Sequence, residues 1–288
     1  MQLFCFGYGY SAEALARHLS PVDLGVAGTR TSVAEPAPGV RLAEFRGDAP
    51  SAAARSLLPG TTHMLISIPP DLEGDVVLRH HGPDIAALPD LAWIGYLSTI
   101  GVYGDWQGQW VDETTPARPI SERSLRRLRA EREWLAFAAE TGKRVEIFRL
   151  AGIYGPGRSV IDNLRAGTAR RIVKPGQIFN RIHVDDIARV LAAAIAAPAG
   201  HTIFNVSDDE PAPPQDVVAY GAELLGVPAP PEIVFEAAGL SDMAASFWAE
   251  SKRVRNTRIK QDLGVELAYP TYREGLTELS GLARPVVA

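Results

Sequence analysis

The sequence predicts an α/β fold: a doubly wound parallel sheet followed by a smaller mixed C-terminal part. Three observations predict it. Apolar runs and helix-like segments alternate through the first two-thirds of the chain. The apolar runs are continuous rather than alternating, as strands covered on both faces require. The last third breaks this rhythm with the proline-rich acidic segment DDEPAPPQ and a series of shorter helical patterns.

Taken in order, Gln2–Phe6 is a short apolar strand stopped by glycines, and Ala12–Leu19 is a helix with Ala12, Leu15, Ala16 and Leu19 on one face. Val22–Ala27 and Val40–Phe45 read as strands. Ala52–Leu58 is a helix ended by Pro59-Gly60. His63–Ile68 is a buried-type strand closed by Pro69-Pro70. Val76–Leu88 is helical, with a break expected at Gly82-Pro83, and Leu91–Leu97 is the next strand. Ser121–Glu140 is the longest helix, ended at Thr141-Gly142, and Val145–Leu150 is again a strand. Right-handed crossovers turn this series into a doubly wound sheet. Later come Arg181–Val184, Asp186–Ala196 and Thr202–Val206, then helices at Pro214–Leu225, Gly239–Phe247, Thr257–Leu263 and Tyr272–Leu282. The expected division is a sheet domain from 1–155 and 176–206, with a cap from 156–175 and 207–288.

Composition narrows the function classes. With 288 residues, 46% of them hydrophobic and 22% charged, the chain has enough apolar material for a sizeable core. A net charge of −5 argues against a nucleic-acid partner for the whole surface. The single cysteine, Cys5, excludes a disulfide framework and a cysteine-based zinc site. No apolar run is long enough for a membrane span, and the start LFCF lacks the basic region of a signal peptide, so a cytoplasmic protein is expected. His80-His81 has no partner at ligand spacing, and no metal site is expected.

The first chemical motif is Gly7-Tyr8-Gly9-Tyr10-Ser11-Ala12, a G-x-G-x-x-A pattern between a strand and a helix. Its glycines allow a tight turn and the close approach of a pyrophosphate to a helix N-terminus. A plain strand–helix turn is the competing explanation. The second motif is Thr29-Arg30-Thr31 after the next strand, where an NAD site usually carries Asp or Glu. A guanidinium flanked by hydroxyls suits a 2′-phosphate, which points to NADP, with NAD as the alternative. The third is Ser98-Thr99-Ile100-Gly101-Val102-Tyr103-Gly104, which puts hydroxyls at the carboxyl end of a strand, where open sheets bind ligands.

In that order, GYGYSA, STIGVYG, the DETTP segment, LAGIYGPG and IHVDDIA resemble an extended short-chain dehydrogenase/reductase of the NAD-dependent epimerase/dehydratase type, over roughly residues 1–280. The resemblance implies a Rossmann domain, a nicotinamide cofactor and a small-molecule substrate in the C-terminal part. It also leaves room for a homodimer through the long helices. It implies that Gly7, Gly9 and Ala12 hold the pyrophosphate and that Asp48 lies near the adenine. Ser67, Ile68 and Pro69 would run along the adenosine, Tyr154 would sit beside the nicotinamide, and Thr99 would be the catalytic hydroxyl.

The departure lies in the long helix. Such enzymes carry Tyr-x-x-x-Lys there, with a Glu four residues after the Lys. Taking Glu131 as that Glu puts Arg127 in the lysine position and Arg123 in the tyrosine position; a one-residue shift gives Ser124 and Leu128. Arginine stays protonated, so Arg123 cannot exchange a proton with substrate. Arg127 can still hold the nicotinamide ribose. Tyr103, Tyr154 and His183 are candidate replacement acids, competing with plain structural roles for each. Arg158 is a candidate substrate contact. The remaining arginines of Ser121–Glu133 interleave with Glu122, Glu131 and Glu133 as a solvated face; Lys252-Arg253-Val254-Arg255 with Arg258 reads as solvated charge at a helix start, with contact to a substrate pyrophosphate as the alternative. If active, the protein is expected to act on a sugar nucleotide or another small carbonyl or polyol compound. A non-catalytic NADP-binding redox sensor or regulatory protein is the alternative.

Overall fold

The computed structural model describes residues 1–20, 23–33, 37–198 and 200–282. Its elements are β1 (Gln2–Phe6), α1 (Tyr10–Leu19), β2 (Gly25–Arg30), β3 (Val40–Glu44), α2 (Ala52–Ser56), β4 (His63–Ile66), α3 (Val76–Ala86), β5 (Trp93–Thr99), β6 (Trp110–Val111), α4 (Glu122–Thr141), β7 (Val145–Leu150), β8 (Gly152–Tyr154), α5 (Val160–Arg165), β9 (Arg171–Val173), β10 (Arg181–His183), α6 (Val184–Ala196), β11 (Ile203–Val206), α7 (Pro214–Leu224), β12 (Glu232–Val234), α8 (Asp242–Trp248), β13 (Arg253–Val254), α9 (Thr257–Gln261) and α10 (Tyr272–Ser280). A 3-10 turn, Ile100–Tyr103, follows β5.

Seven strands form one parallel sheet in the order β11-β7-β5-β4-β1-β2-β3. β1 shows why the first apolar run is continuous. Leu3 and Cys5 face a layer that includes Leu15, Ile187 and Leu191, whereas Phe4 and Phe6 face the opposite layer of Met64, Val77, Ile85 and Trp134. Helices therefore cover both faces, the doubly wound arrangement. The chain winds outward from β1 to β3, then returns to start again at β4 on the other side of β1. A ligand crevice opens beyond the carboxyl ends of the strands at such a reversal.

Three departures from the sequence expectations bear on function. The strand expected at Leu91–Leu97 runs from Trp93 to Thr99, so Ser98 and Thr99 belong to the strand end itself. The strand expected at Val22–Ala27 is displaced to Gly25–Arg30, which brings Thr29 and Arg30 onto the sheet; Val22 lies outside the described residues. The break expected at Gly82-Pro83 does not occur. α3 passes through Pro83 with Val76, Val77, His81 and Ile85 buried, and this docking offsets the hydrogen bond that proline removes.

Beyond the sheet, separate segments of chain meet as three short parallel pairs: β8 with β10, β9 with β12, and β6 with β13. The stretch around β13 is the most heavily tied. The Asn180 side chain donates to the Lys252 carbonyl at 2.9 Å and accepts from the Val254 amide at 2.8 Å. The Ser251 amide donates to Asp105 at 2.8 Å. Buried Asp186 of α6 accepts from the Ala268 and Tyr269 amides at 2.7 and 2.9 Å, fixing the segment that leads into α10. α8 is different: Met243 and Phe247 on it are exposed. Among the described residues no helix is long and apolar enough to cross a membrane, and no group of three or more His, Cys, Asp or Glu could hold a metal ion.

Candidate active site

β1 ends in a turn that only glycine can make. Gly7 has φ +90°, and a Cβ there would come within 2.5 Å of Ser67 Oγ. The turn is braced from β2 and β4. The Gly7 and Tyr8 amides donate to Thr29 Oγ1 and the Thr29 carbonyl at 3.0 and 2.7 Å, and Ser67 Oγ donates to the Gly7 carbonyl at 2.5 Å. Thr29 is fully buried and its hydroxyl is engaged by Gly7, so it shapes the loop from beneath instead of flanking a phosphate.

α1 then begins with Gly9 as its N-cap, and no side chain caps it. The first-turn N–H groups keep their partial positive charge for an anion. A Cβ placed on Gly9 would meet nothing within 4 Å. An uncapped helix start with open space above a glycine fits a dinucleotide pyrophosphate. Arg30, at the end of β2, donates through Nε to the Tyr8 carbonyl at 2.9 Å and pairs with Glu13 at 2.6 Å. Its guanidinium also lies 5.6 Å from the Tyr8 ring centre.

A cleft of about 920 Å³ runs from this loop, across the carboxyl end of β5, to the C-terminal part of the chain. Of the residues expected at the site, Gly9, Tyr10, Ser11, Ser67, Thr99, Arg127, Tyr154 and Arg158 line it. Gly7, Tyr8 and Ala12 shape the turn and the helix start without lining the cleft. Arg30, Thr31, Asp48, Ile68 and Pro69 lie outside its walls, with Thr31 and Asp48 exposed. Tyr10 and Arg158 come together: the Tyr10 hydroxyl donates to the Pro156 carbonyl at 3.0 Å, and the Arg158 guanidinium lies 6.0 Å from its ring centre.

At the floor, Thr99 Oγ1 accepts from the Gly101 amide at 3.1 Å and caps the 3-10 turn. Its own proton stays available to donate. Ser124 Oγ approaches from α4. A Cβ on Gly101 would sit 2.7 Å from Ser124 Oγ and 3.4 Å from Thr99 Oγ1, so the two hydroxyls converge on one point. Next to them, Ser98 Oγ donates to Glu131, which forms a buried ion pair with Arg149 at 2.7 Å. Arg127 donates to the Leu97 carbonyl at 2.9 Å and to the Tyr96 hydroxyl at 3.1 Å. One turn nearer the mouth, Arg123 stacks its guanidinium 4.0 Å from the Phe247 ring centre.

The candidate replacement acids are placed differently from expectation. Tyr103 is fully buried, donates to Asn205 at 2.7 Å and does not line the cleft. Burial pushes its phenol pKa up, which makes it a packing residue here. Tyr154 presents its ring to the cleft, but its hydroxyl is buried without a partner against α10, where a Cβ on Gly275 would clash with it. Burial raises its pKa as well. His183 caps α6 by accepting from the Asp185 amide at 3.2 Å, and its ring packs 4.0 Å from Tyr269. Burial lowers its pKa to about 4, and it too lies off the cleft.

Lys252, expected in solvent, is placed otherwise. It is buried, lines the cleft, and donates to the Gly104 carbonyl at 2.8 Å and to Glu250 at 2.6 Å. Burial lowers its pKa, and the Glu250 carboxylate opposes this. Nothing in KRVR marks its first residue as buried, because the pairing of β13 with distant β6 does so. Met243, Phe247 and Trp248 of α8 form an apolar wall that was also not foreseen.

Known proteins agree with this architecture. Residues 91–207 match the model of the NAD dependent epimerase/dehydratase family. Protein YeeZ of Escherichia coli (strain K12) is 33% identical over 177 residues, 61% of this chain and 58% of YeeZ, so the match spans less than two thirds of that relative. A solved structure of a functionally unknown conserved protein from Silicibacter pomeroyi DSS is 48% identical, with a TM-score of 0.87 over 97% of this chain and 98% of that one. The human epimerase family protein SDR39U1, solved with NADPH, is 17% identical and shares the fold, with a TM-score of 0.77 over 98% of this chain and 99% of that one. With its parallel sheet, glycine turn and strand-end hydroxyls arranged in this way, the chain is similar to proteins of the NAD-dependent epimerase/dehydratase family and carries that family's domain over residues 91–207.

Proposed function

We propose that this protein binds NADP and acts as an oxidoreductase or epimerase-like enzyme on a small carbonyl or polyol compound, sugar nucleotides included, without a Tyr-x-x-x-Lys pair. The observation that carries this reading is a single cleft joining the uncapped start of α1 to the hydroxyls of Thr99 and Ser124. The proposed division assigns 1–155 and 176–206 to cofactor binding and 156–175 and 207–288 to the substrate, in a cytoplasmic protein.

The glycine turn and the first-turn amides of α1 would hold the pyrophosphate, Arg30 the 2′-phosphate, and Arg127 the nicotinamide ribose. The nicotinamide, when bound, gives or takes the hydride. Thr99 and Ser124 would donate to the reacting oxygen, stabilising the negative charge that develops there. Arg127 stays protonated, so it adds positive charge without moving a proton; water entering the cleft would carry the proton. Solved proteins of the same fold carry NADPH or NAD, so the choice of NADP rests on Arg30.

The arginines at the tyrosine and lysine positions favour a second reading, a redox sensor that binds the cofactor without turnover. The deciding experiment titrates NADPH and NADH into purified protein, then screens NADPH oxidation and NADP reduction against sugar nucleotides, aldehydes and ketones. Turnover that falls about 100-fold in Thr99→Ala supports the enzyme. Tight cofactor binding with no turnover across the screen supports the sensor, and no binding of either nucleotide removes both readings.

A further inference from the structure

We infer that Arg123 is the substrate-recognition residue and that it binds an anionic group, carboxylate or phosphate, carried next to the reacting carbon. This rests on the oxidoreductase reading above and goes further by naming the substrate's charge and where it is held.

The charged residues lining the cleft are Arg123, Arg127, Arg158, Arg181, Lys252 and Glu250. Lys252 and Glu250 neutralise each other at 2.6 Å. Arg123 and Arg127, one turn apart on α4, both face the cleft, and neither forms an ion pair among the described residues. Like charges at this spacing repel one another. The arrangement therefore leaves positive charge uncompensated beside the Thr99 and Ser124 hydroxyls. Arg127 has partners in the Leu97 carbonyl and the Tyr96 hydroxyl. Among the described residues, Arg123 has only the Phe247 ring.

That contact has a chemical consequence. A phenyl ring stacked on a guanidinium covers its face and leaves the N–H edge open, the edge that meets a carboxylate or phosphate in a two-point contact. Stacking also holds the group in place, so less freedom is lost when the anion binds. Taking Glu131 as the family's glutamate puts Arg123 at the tyrosine position, and Arg123 lines the same cleft as Thr99 and Ser124. An anion held there lies on the side of the reacting carbon, and not at a distant pyrophosphate. Met243 and Trp248 extend an apolar wall beside it, which suits a compact organic acid.

Matched probes test this by calorimetry, on the protein alone and with saturating NADPH. One pair is phenylpyruvate against phenylacetone, which lacks the carboxylate. The other is dihydroxyacetone phosphate against dihydroxyacetone. The expected result is that the charged member of one pair binds at least about tenfold tighter than its neutral partner. That preference should disappear in Arg123→Leu and return in part in Arg123→Lys. The pair that shows it identifies the anion. Equal binding of charged and neutral members, no binding by any probe, or a preference that survives in Arg123→Leu overturns the inference. Circular dichroism and NADPH titration of Arg123→Leu report its folding separately. Failure of the wild-type protein to bind NADPH would sink the oxidoreductase reading alone, because the probe preference is measured without cofactor as well.

Discussion

Replacing Arg30 by alanine removes a guanidinium that has two duties. In the structure its Nε braces the Tyr8 carbonyl at 2.9 Å, and its other end is paired with Glu13 at 2.6 Å. The Glu13 pair is partly solvated, with side chains 25% and 45% exposed, so its loss costs under about 1 kcal/mol of stability and the variant should fold. Toward a 2′-phosphate the same group would make charge-assisted hydrogen bonds worth about 1.5–3 kcal/mol each. Glu13 competes for the cation and repels the phosphate. The net loss expected for NADPH is therefore about 1.4–2.8 kcal/mol, or roughly 10- to 100-fold in Kd. NADH, which lacks the phosphate, should change less than about threefold. The assay is a fluorescence titration of both nucleotides against wild type, Arg30→Ala, Glu13→Gln and the double variant. Glu13→Gln should tighten NADPH and leave NADH unchanged, and that gain should vanish when Arg30 is also removed. The reasoning is refuted if Arg30→Ala weakens both nucleotides equally. That outcome would mean that the guanidinium only props the glycine turn.

Gly9→Val should fold normally, because its Cβ would meet no protein atom, yet weaken either nucleotide more than about tenfold by filling the pyrophosphate cradle; unchanged affinity would move the cofactor elsewhere. Glu131→Ala leaves Arg149 buried without its carboxylate, at a cost of about 3–5 kcal/mol; a thermal midpoint lowered by less than about 3 °C would contradict that role. His183 has a folded pKa of about 4 against a usual 6.5, so folding favours its neutral form. The stability it holds is complete above pH 6.5 and drains as pH falls from 6.5 to 4, about 3 kcal/mol in all. His183→Asn, which can still cap α6, should show a flatter stability profile across that window in urea denaturation, and identical slopes would rule the assignment out.

How much of this was legible beforehand depended on whether the signal was local. The glycine turn was legible because an apolar strand, two glycines and an amphipathic helix follow one another within 19 residues. The long helix was legible to within a residue because Ser121 caps one end and Gly142, in the left-handed region, closes the other. Pro83 misled because packing on the sheet overrode a local preference. The short strands β6, β9, β12 and β13 were missed since each is defined only by a partner far away in sequence. The roles given to single residues had the same weakness. Thr29 and Tyr103 belong to motifs that face ligands in general, but only the three-dimensional structure reveals that both side chains are fully buried. Lys252 is the converse, a lysine in a basic run that folding takes out of water.

The ties around β13 separate two kinds of change open to this protein. Residues 250–256 are fastened to Asp105, Gly104 and Asn180 and pair with β6, so that wall of the cleft is built into the same network as the loop after Thr99. α8 supplies an apolar stretch of the lining with Met243 and Phe247 exposed, and it holds none of those ties. Mutation can therefore remodel α8 without disturbing the nucleotide end of the cleft. Under the proposed function, selection, or an engineer grafting residues 240–249 from a relative, would retune what the cleft accepts while the part proposed for the cofactor is inherited unchanged.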